Sequence, residues 1–312
     1  MHVCVVIEGQ MGVGWKETLA FARAAEQAGL DGIFRSDHYG GDPERGSLDA
    51  WATLAALAMS TERVRLGTLV SPVTFRHPSV LAKVVATVDH ISQGRVELGL
   101  GAGWFEEEHR RYGFAFPDAA RRMELLGEQL EIVHRQWTEE EFDFDGRHYR
   151  LERCLALPKP LQRPHPPLIV GGRATSATLR PAVRFADEYN TFYPTTAAAR
   201  ARRDRVYEAC ERAGRDRASL AFSVMTMCVL GKTRADVLAR LAAHPSASSP
   251  DELLAEKREV WIMGSPGEAI ERLLALKEIG VDRVLLQVLD YSDLDLVDLV
   301  ASEVMPALRA AI

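Results

Sequence analysis

The chain has 312 residues, of which 47% are hydrophobic and 26% are charged, and its formal net charge is −6. This composition is typical of a globular protein large enough for one large domain or two small ones, and of these we expect a single domain over residues 1–312. The mild acidic excess and the lack of a basic run argue against nucleic acid and against an anionic membrane surface as partners.

The cysteines and the N-terminus show no sign of export or of metal binding. Cys4, Cys154, Cys210 and Cys228 have neither a disulfide-like pattern nor the spacing of zinc ligands, so we expect reduced thiols and no metal site. The apolar run from Val3 to Ile7 is much shorter than the core of a signal peptide or a membrane span. We therefore expect a cytoplasmic protein.

Strands and helices alternate along the first third of the chain. The predicted elements are a strand at Val3 to Ile7, a helix at Leu19 to Ala28, a strand at Gly32 to Phe34 and a helix at about Leu48 to Met59. Residues 64–104 then predict a strand, a helix and a strand. Pro72 ends an apolar run, apolar residues recur at helical spacing, and Gly94 precedes a second apolar run.

The remaining chain continues the alternation and contains an insertion. After a loop at Phe105 to Pro117 and a helix over Met123 to Trp137, residues Phe142 to Tyr149 alternate around Asp-Gly and predict an inserted β-hairpin. Further strands are predicted at Leu168 to Val170, Glu188 to Tyr193, Leu220 to Leu230 and Val284 to Leu289. Helices follow these strands, and His244 to Pro250 has the composition of a flexible excursion. Eight such units predict a (β/α)₈ TIM barrel with insertions, with a doubly wound open sheet as the alternative.

Asp37 and His38 directly follow the second predicted strand. In a barrel, residues at the C-terminal ends of the strands face the active site, and a histidine is easily poised for proton transfer near neutral pH. Alternatively, Asp37 caps a turn and His38 is an ordinary loop residue. His109 and His134 lie among charged residues and are expected on solvated faces.

Strands three and four also end in unusual residues. Thr68, Leu69 and Ser71 precede Pro72, and this segment either lines a pocket wall or is a buried strand that closes in a turn. Glycines at 99, 101 and 103 end strand four, where a flat ligand could approach the backbone closely. They lack the third glycine of a dinucleotide-binding fingerprint, which argues against a Rossmann site.

Residues Gly171 to Ser176 lie between a strand and a helix and have the form of a phosphate cradle. Backbone N–H groups at the positive end of a helix and the nearby Arg173 favour an anion. Steric need for glycine in a tight turn explains the same pattern equally well. The run Glu106 to Glu108 is either a general-acid or metal cluster or a solvated face.

Taken together, six segments resemble the luciferase-like monooxygenase superfamily. They are Ser36-Asp37-His38, TLVSPVTFRHP from Thr68 to Pro78, DHISQGRVELGLGAGW from Asp89 to Trp104, Pro158-Lys159-Pro160, Gly171-Gly172-Arg173 and Asp282-Arg283-Val284. The resemblance covers essentially the whole chain. It is greatest to the branch that transfers hydride with the deazaflavin coenzyme F420, rather than to the branch that uses reduced FMN and oxygen.

This resemblance implies a barrel with an insertion and a coenzyme lying across the strand C-termini. A non-prolyl cis peptide is expected between Thr68 and Leu69, and Thr68, Leu69 and Ser71 would contact the coenzyme ring. His38 would be the acid or base beside the carbon that carries the hydride. The further coenzyme contacts implied by the resemblance are Asp37, Gly103, Glu107, Gly171, Gly172, Arg173, Ala174 and Thr175, with residues 172–175 at the phosphates.

The chain departs from the sugar-phosphate dehydrogenases of this branch. They place a catalytic glutamate just after strand four, where this chain has Trp104, and their sugar-phosphate-binding basic residues have no clear counterparts here. Trp104 and Phe105 instead predict an apolar or aromatic substrate wall. The leading hypothesis is an F420-dependent oxidoreductase, and the alternatives are an FMN-dependent two-component monooxygenase and a barrel that binds flavin without turnover. The resemblance also implies a homodimer, and a separate enzyme could reduce the coenzyme.

Overall fold

Eight parallel strands close into a barrel in the computed structural model, which describes residues 1–244 and 248–310. In chain order the strands are β1 (His2–Ile7), β2 (Gly32–Arg35), β3 (Arg65–Thr68), β4 (Ser71–Pro72), β5 (Val96–Gly101), β6 (Phe142–Asp145), β7 (Arg150–Cys154), β8 (Leu168–Gly171), β9 (Glu188–Phe192), β10 (Ala221–Leu230), β11 (Ile262–Gly264) and β12 (Arg283–Gln287). The barrel runs in the order β1, β2, β3, β5, β8, β9, β10, β12, and β12 pairs with β1 to close it. The predicted TIM barrel is therefore confirmed, and the open sheet is excluded.

Helices surround the barrel and cover the outward faces of its strands. They are α1 (Trp15–Gln27), α2 (Ala50–Ser60), α3 (Pro78–Ile91), α4 (Glu106–Tyr112), α5 (Ala119–Thr138), α6 (Ser176–Phe185), α7 (Thr196–Arg212), α8 (Arg234–Leu241), α9 (Pro250–Lys257), α10 (Pro266–Glu278), α11 (Leu294–Leu299) and α12 (Met305–Ala310), with a π-helical turn at Val300–Val304. Among the described residues, none of these helices combines the length and the apolar character needed to span a bilayer.

The barrel interior has an apolar layer above a charged one. Cys4, Val6, Phe34, Ile169 and Leu285 belong to the apolar layer that lies beneath the strand C-termini. At the opposite end, the Arg283 guanidinium pairs with both Glu97 and Glu188 at 2.8 and 3.0 Å. These layers fill the barrel interior, and a cavity opens beyond the C-terminal ends of the strands.

The predicted insertion is a hairpin, as expected. Strands β6 and β7 are antiparallel, and the Glu128 side chain of α5 accepts backbone N–H bonds from Arg147, His148 and Tyr149 in the turn. This carboxylate fixes the hairpin against α5 on the outside of the barrel.

Two segments differ from the predicted elements. The predicted loop at 105–117 contains helix α4, whose first turn holds three glutamates and whose last turn holds His109, Arg110 and Arg111, an order of charges that suits the helix dipole. The predicted excursion at 244–250 includes residues 245–247, which lie outside the described residues, and its last residue, Pro250, begins helix α9.

The non-prolyl cis peptide is one residue later than predicted. It joins Leu69 to Val70, not Thr68 to Leu69. We call Leu69 and Val70, the two residues joined by this bond, the bulge. Gly99 and Gly101 of β5 lie beneath it: a Cβ at Gly101 would come within 2.6 Å of the Val70 side chain, and a Cβ at Gly99 would overlap the Thr68 carbonyl oxygen. These two glycines therefore make room for the bulge itself, and no ligand is needed to explain them.

Candidate functional site

A cavity of about 620 Å³ opens at the C-terminal end of the barrel. Its wall includes residues at or just after the C-terminal ends of β1, β2, β3, β5, β8, β9 and β12, so strand ends from around the barrel contribute to it. The lining residues are Glu8, Gln10, Ser36, Asp37, His38, Leu69, Val70, Pro72, Gly101, Ala102, Gly103, Trp104, Glu108, His109, Gly171, Asn190, Phe192, Tyr193, Met225 and Gln287.

His38 and Glu108 form a buried hydrogen-bonded pair at the cavity wall. The His38 Nδ1 atom lies 2.7 Å from Glu108 Oε1, and both side chains are less than a tenth exposed. Glu108 Oε2 accepts the backbone N–H groups of Tyr39 and Gly40 at 3.0 and 3.1 Å. An ionised carboxylate only accepts hydrogen bonds, so it assigns the proton of the ring to Nδ1 and leaves Nε2 to exchange a proton.

The charge of Glu108 is set by these partners. Burial acts to raise the pKa of this carboxyl, but the hydrogen bond and charge of His38 and the two backbone N–H groups outweigh it, so the pKa lies below its ordinary value. Glu108 is therefore ionised at neutral pH and holds His38 in one orientation.

Asp37 is buried and belongs to a separate network. Its Oδ2 accepts hydrogen bonds from Ser71 Oγ at 2.6 Å and Arg76 Nη1 at 2.5 Å, and Arg76 also pairs with Asp49 at 2.7 Å. Burial raises the pKa of Asp37, and Arg76 and Ser71 only partly oppose this rise. The network ties the end of β2 to the segment after β3.

The residues predicted at the bulge lie at different depths. Leu69 lines the cavity, whereas Thr68 is fully buried and donates its hydroxyl to the Gly99 carbonyl at 2.9 Å. The Ser71 hydroxyl is also buried, where it accepts a hydrogen bond from Trp51 Nε1 at 3.1 Å. Gly103 lines the cavity with a positive φ of 80°, a conformation that disfavours other residues.

The predicted phosphate cradle forms the loop between β8 and α6. Gly171 lines the cavity, and Arg173 is exposed with its guanidinium 5.3 Å from the Phe192 ring. The N–H groups of Gly172 and Ala174 donate to Asn190 O and Tyr189 Oη, so these two amides already have partners. An anion here would be met by Arg173 and by the first turn of α6, just after Thr175.

Two aromatic residues cover one edge of the cavity. Trp104 is 71% exposed, lines the cavity and stacks on Phe105 with ring centroids 5.2 Å apart. Both rings meet His38 edge-on at centroid distances of 5.7 and 6.0 Å. The predicted substrate wall therefore lies directly beside the predicted acid or base.

The three glutamates of α4 point in different directions. Glu107, predicted at the coenzyme, does not line the cavity; its carboxylate is about half exposed and pairs with Arg111 at 2.5 Å. Glu108 carries the contact with His38. In the described part of the chain, no group of acidic, histidine or cysteine side chains is arranged to hold a metal ion.

His109 is buried, so the expectation of a solvated face is wrong. Its Nδ1 donates to the Phe105 carbonyl at 2.8 Å, Nε2 lies 2.6 Å from the Thr74 hydroxyl, and the ring stacks on Phe75. Both nitrogens are occupied, and His109 supports α4 against the segment after β3.

Glu8 is a site residue that sequence reasoning missed. It follows β1, is 5% exposed and lines the cavity, and its carboxylate accepts hydrogen bonds from the side-chain amides of Gln10 and Gln287. Tyr193 donates its hydroxyl to Gln287. The signal was the one that identified Asp37 and His38, namely an ionisable residue directly after a predicted strand.

A second cleft, of about 680 Å³, lies beside α8 and α11. Its walls hold the Arg240–Asp293 ion pair at 2.5 Å and surface aspartates. We place the candidate site in the other cavity, because only there do buried ionisable side chains meet at the strand C-termini.

Comparison with known proteins finds similar sequences and structures. Residues 3–259 match the model of the family described as luciferase-like monooxygenase. A protein of Microbacterium testaceum named F420-dependent glucose-6-phosphate dehydrogenase is 36% identical over 181 residues, which cover 57% of this chain and 53% of that protein. Among the first curated relatives the matched part is about half of each relative's length.

Two longer matches extend the comparison. A Pseudomonas putida protein named FMNH(2)-dependent dimethylsulfone monooxygenase is 26% identical, covering 87% of this chain and 82% of that protein. A solved structure of an F420-dependent secondary alcohol dehydrogenase in complex with an F420-acetone adduct superimposes with a TM-score of 0.83 at 20% identity, covering 99% of both chains. The structural match bears on the fold, and the family match covers most of the chain. The chain therefore belongs to the luciferase-like monooxygenase family.

Proposed function

We propose that this protein is an F420-dependent oxidoreductase that transfers hydride between the deazaflavin coenzyme and a small organic substrate with an apolar or aromatic part. The observation that carries the proposal is the His38–Glu108 pair, which places an oriented imidazole at the wall of a cavity flanked by the Leu69–Val70 bulge. When bound, the coenzyme would supply a carbon that gains or loses a hydride.

The residues present fit such a coenzyme. The cavity of about 620 Å³ has an apolar bulge on one side, where Leu69 and Val70 would back a flat ring. Gly171 to Thr175 would hold the phosphate, with Arg173 providing the positive charge. Asp37 and Gly103 would contact the coenzyme from neighbouring strands, and Thr68 and Ser71 would support the bulge from beneath.

Within this arrangement His38 exchanges a proton and Glu108 positions it. Because Glu108 accepts the Nδ1 proton, Nε2 is the nitrogen that takes up or releases the proton that accompanies hydride transfer. Trp104 and Phe105 shield the imidazole from solvent at the cavity edge and form the apolar wall for the substrate. We also propose that the enzyme acts as a homodimer and receives reduced coenzyme from a separate enzyme.

The choice of F420 is supported by the curated relatives that are named for it, one of which is 26% identical over 95% of this chain. A second candidate function is an FMN-dependent monooxygenase, which the match to the dimethylsulfone monooxygenase favours. The two functions differ in their need for oxygen.

Anaerobic turnover distinguishes the two functions. Reduced F420 and reduced FMN would each be mixed with the protein and 2-cyclohexen-1-one or benzaldehyde, with and without oxygen. We expect oxidation of reduced F420 without oxygen, coupled to reduction of one of the organic probes. Product formation that requires both reduced FMN and oxygen would establish the monooxygenase instead, and coenzyme binding without any turnover would favour a non-catalytic barrel.

A further inference from the structure

The cavity contains a third carboxyl group that the proposed mechanism does not use. Glu8 lies at the end of β1, and its two oxygens accept hydrogen bonds from different glutamine side chains, Gln10 Nε2 at 2.5 Å and Gln287 Nε2. Gln10 in turn accepts the Ser36 hydroxyl at 2.6 Å, and Gln287 accepts the Tyr193 hydroxyl. Four neutral polar side chains from four strand ends therefore fix this one carboxyl in place.

Glu8 differs from the other carboxyls of the cavity in its partners. Asp37 pairs with Arg76, and Glu108 pairs with His38, so each has a cationic or protonatable group in direct contact. The direct side-chain partners of Glu8 are amides. A buried carboxyl without a cation in contact is costly to ionise, so it keeps its proton to higher pH than an exposed carboxyl and can donate it to a substrate atom.

The charge balance of the cavity also limits its substrates. Among the described lining residues there is no lysine or arginine, whereas three are carboxyl-bearing. Outside the phosphate loop, a phosphate or carboxylate on the substrate would meet Glu8 without a compensating cation. Such an anionic group would lose its water without gaining a cation in contact, and burying an unpaired charge costs on the order of several kcal/mol.

The surroundings of Glu8 favour its protonated form. Burial raises the pKa of this carboxyl, and the bond from Gln10, the charge of His38 and the bond from Gln287 oppose the rise without cancelling it. The other ionisable groups that act on it are Arg35 behind β2, Tyr193 after β9 and Tyr291 after β12. Tyr291 accepts the backbone N–H of Glu8 at 2.8 Å and so fixes the end of β1.

We infer that Glu8 is a second proton-exchanging residue, which serves the oxygen or nitrogen on the reacting carbon of an uncharged substrate and discriminates against phosphorylated ones. The inference deepens the proposed function and rests on it. In the reducing direction, a hydride from the reduced coenzyme bonds to the carbon of a C=O or C=N group, and the electron pair of the broken π bond moves to the heteroatom. The Glu8 proton bonds to that heteroatom, and the proton that the oxidised coenzyme gives up passes to His38.

Infrared difference spectroscopy tests the protonation of Glu8 without any turnover. Spectra of the full-length protein minus those of Glu8→Gln, recorded from acidic to alkaline pH, should show the carbonyl band of a protonated carboxyl that disappears as the pH rises. The subtraction removes the bands of Asp37 and Glu188, the other buried carboxyls whose pKa is raised by burial. The matched control is Glu152→Gln, which removes an exposed carboxylate of the hairpin at 76% side-chain exposure. A subtraction of Glu8→Gln from wild type that shows no such band at any pH would overturn the inference.

Turnover provides the second readout. With reduced F420 and the uncharged probe 2-cyclohexen-1-one or benzaldehyde, Glu8→Gln should lower kcat about a hundredfold, as expected for loss of a general acid, and Glu8→Asp should restore part of it. The coenzyme Kd should stay within about twofold. Unchanged kcat in Glu8→Gln, or oxidation of glucose 6-phosphate faster than reduction of the uncharged probes, would contradict the inference. If the wild-type protein does not bind F420, the proposed function is wrong. The infrared experiment would then still test whether Glu8 is protonated, because it needs no coenzyme.

Discussion

Replacing Glu108 by glutamine is the most informative perturbation of the candidate site. The substitution keeps the size of the side chain but removes its charge and one of its two acceptor oxygens. Glu108 now accepts three hydrogen bonds, from His38 and from two backbone N–H groups, and a glutamine can serve only one side of this arrangement. If the glutamine oxygen accepted the hydrogen bond on one side, its NH₂ group would face an N–H donor on the other side and could not bond to it.

Two magnitudes follow from this geometry. A hydrogen bond to a buried charged group contributes about 1.5 to 3 kcal/mol, so Glu108→Gln should lower the free energy of unfolding by about 2 to 4 kcal/mol. Loss of the acceptor for Nδ1 leaves the imidazole free to adopt the wrong tautomer, and we expect kcat to fall about a hundredfold, equivalent to about 2.7 kcal/mol of barrier. Coenzyme affinity should change little, because Glu108 faces the imidazole.

The assay is single-turnover oxidation of reduced F420 by an organic probe, followed by stopped-flow absorbance, with chemical denaturation in parallel. Glu106→Gln is the matched control, since Glu106 lies on the same helix with an exposed side chain. A folded Glu108→Gln protein that binds F420 and keeps the wild-type hydride-transfer rate would refute the role of Glu108 as the residue that positions His38.

Three further predictions concern separate parts of the molecule. His38→Ala should lower turnover at least about tenfold while a fluorescence titration finds coenzyme affinity nearly intact; equal turnover would remove His38 from the mechanism. Arg173→Ala should weaken coenzyme binding by a factor that shrinks as salt is added, and a salt-independent loss would point to packing against Phe192 instead. Burial raises the pKa of Glu188 from 4.5 to about 7. The folded state therefore binds an extra proton between these two pH values, and its free energy of unfolding should fall as the pH rises from one to the other. Denaturant titrations should find a smaller fall in Glu188→Gln, and an equal fall in that variant would contradict the prediction.

Much of the fold could be predicted because it repeats. Most barrel strands are apolar runs that end in glycine, proline or a polar residue, and each long helix has an apolar face, so local patterns were enough to count eight units. Helix α4 was missed because its seven residues carry no apolar stripe, and only the order of its charges marks it.

The side chains of the site were harder to assign for a geometric reason. Successive residues on a helix are rotated by about 100°, so Glu107 and Glu108 point to different sides, and one faces Arg111 while the other reaches His38. No local pattern in three adjacent glutamates indicates which of them faces inward. That choice is made by the packing of His109 between Thr74 and Phe75, residues from another part of the chain.

Glu8 shows a different limit of sequence reasoning. Its position after β1 is readable, but its importance comes from Gln287, 279 residues later, which reaches it only when β12 closes the barrel against β1. Likewise, the sequence pattern predicts that the glycines at 99 and 101 admit a flat ligand, whereas the structure assigns them to the bulge at Leu69 and Val70.

The most direct test of the central claim is an equilibrium titration of the purified protein with oxidised F420 and with oxidised FMN, followed by tryptophan fluorescence. Trp104 at the cavity edge provides a reporter close to the proposed coenzyme site. We expect saturable quenching by F420 with a Kd in the range of about micromolar, equivalent to about −8 kcal/mol, and much weaker quenching by FMN. Micromolar binding of FMN without binding of F420 would contradict the account.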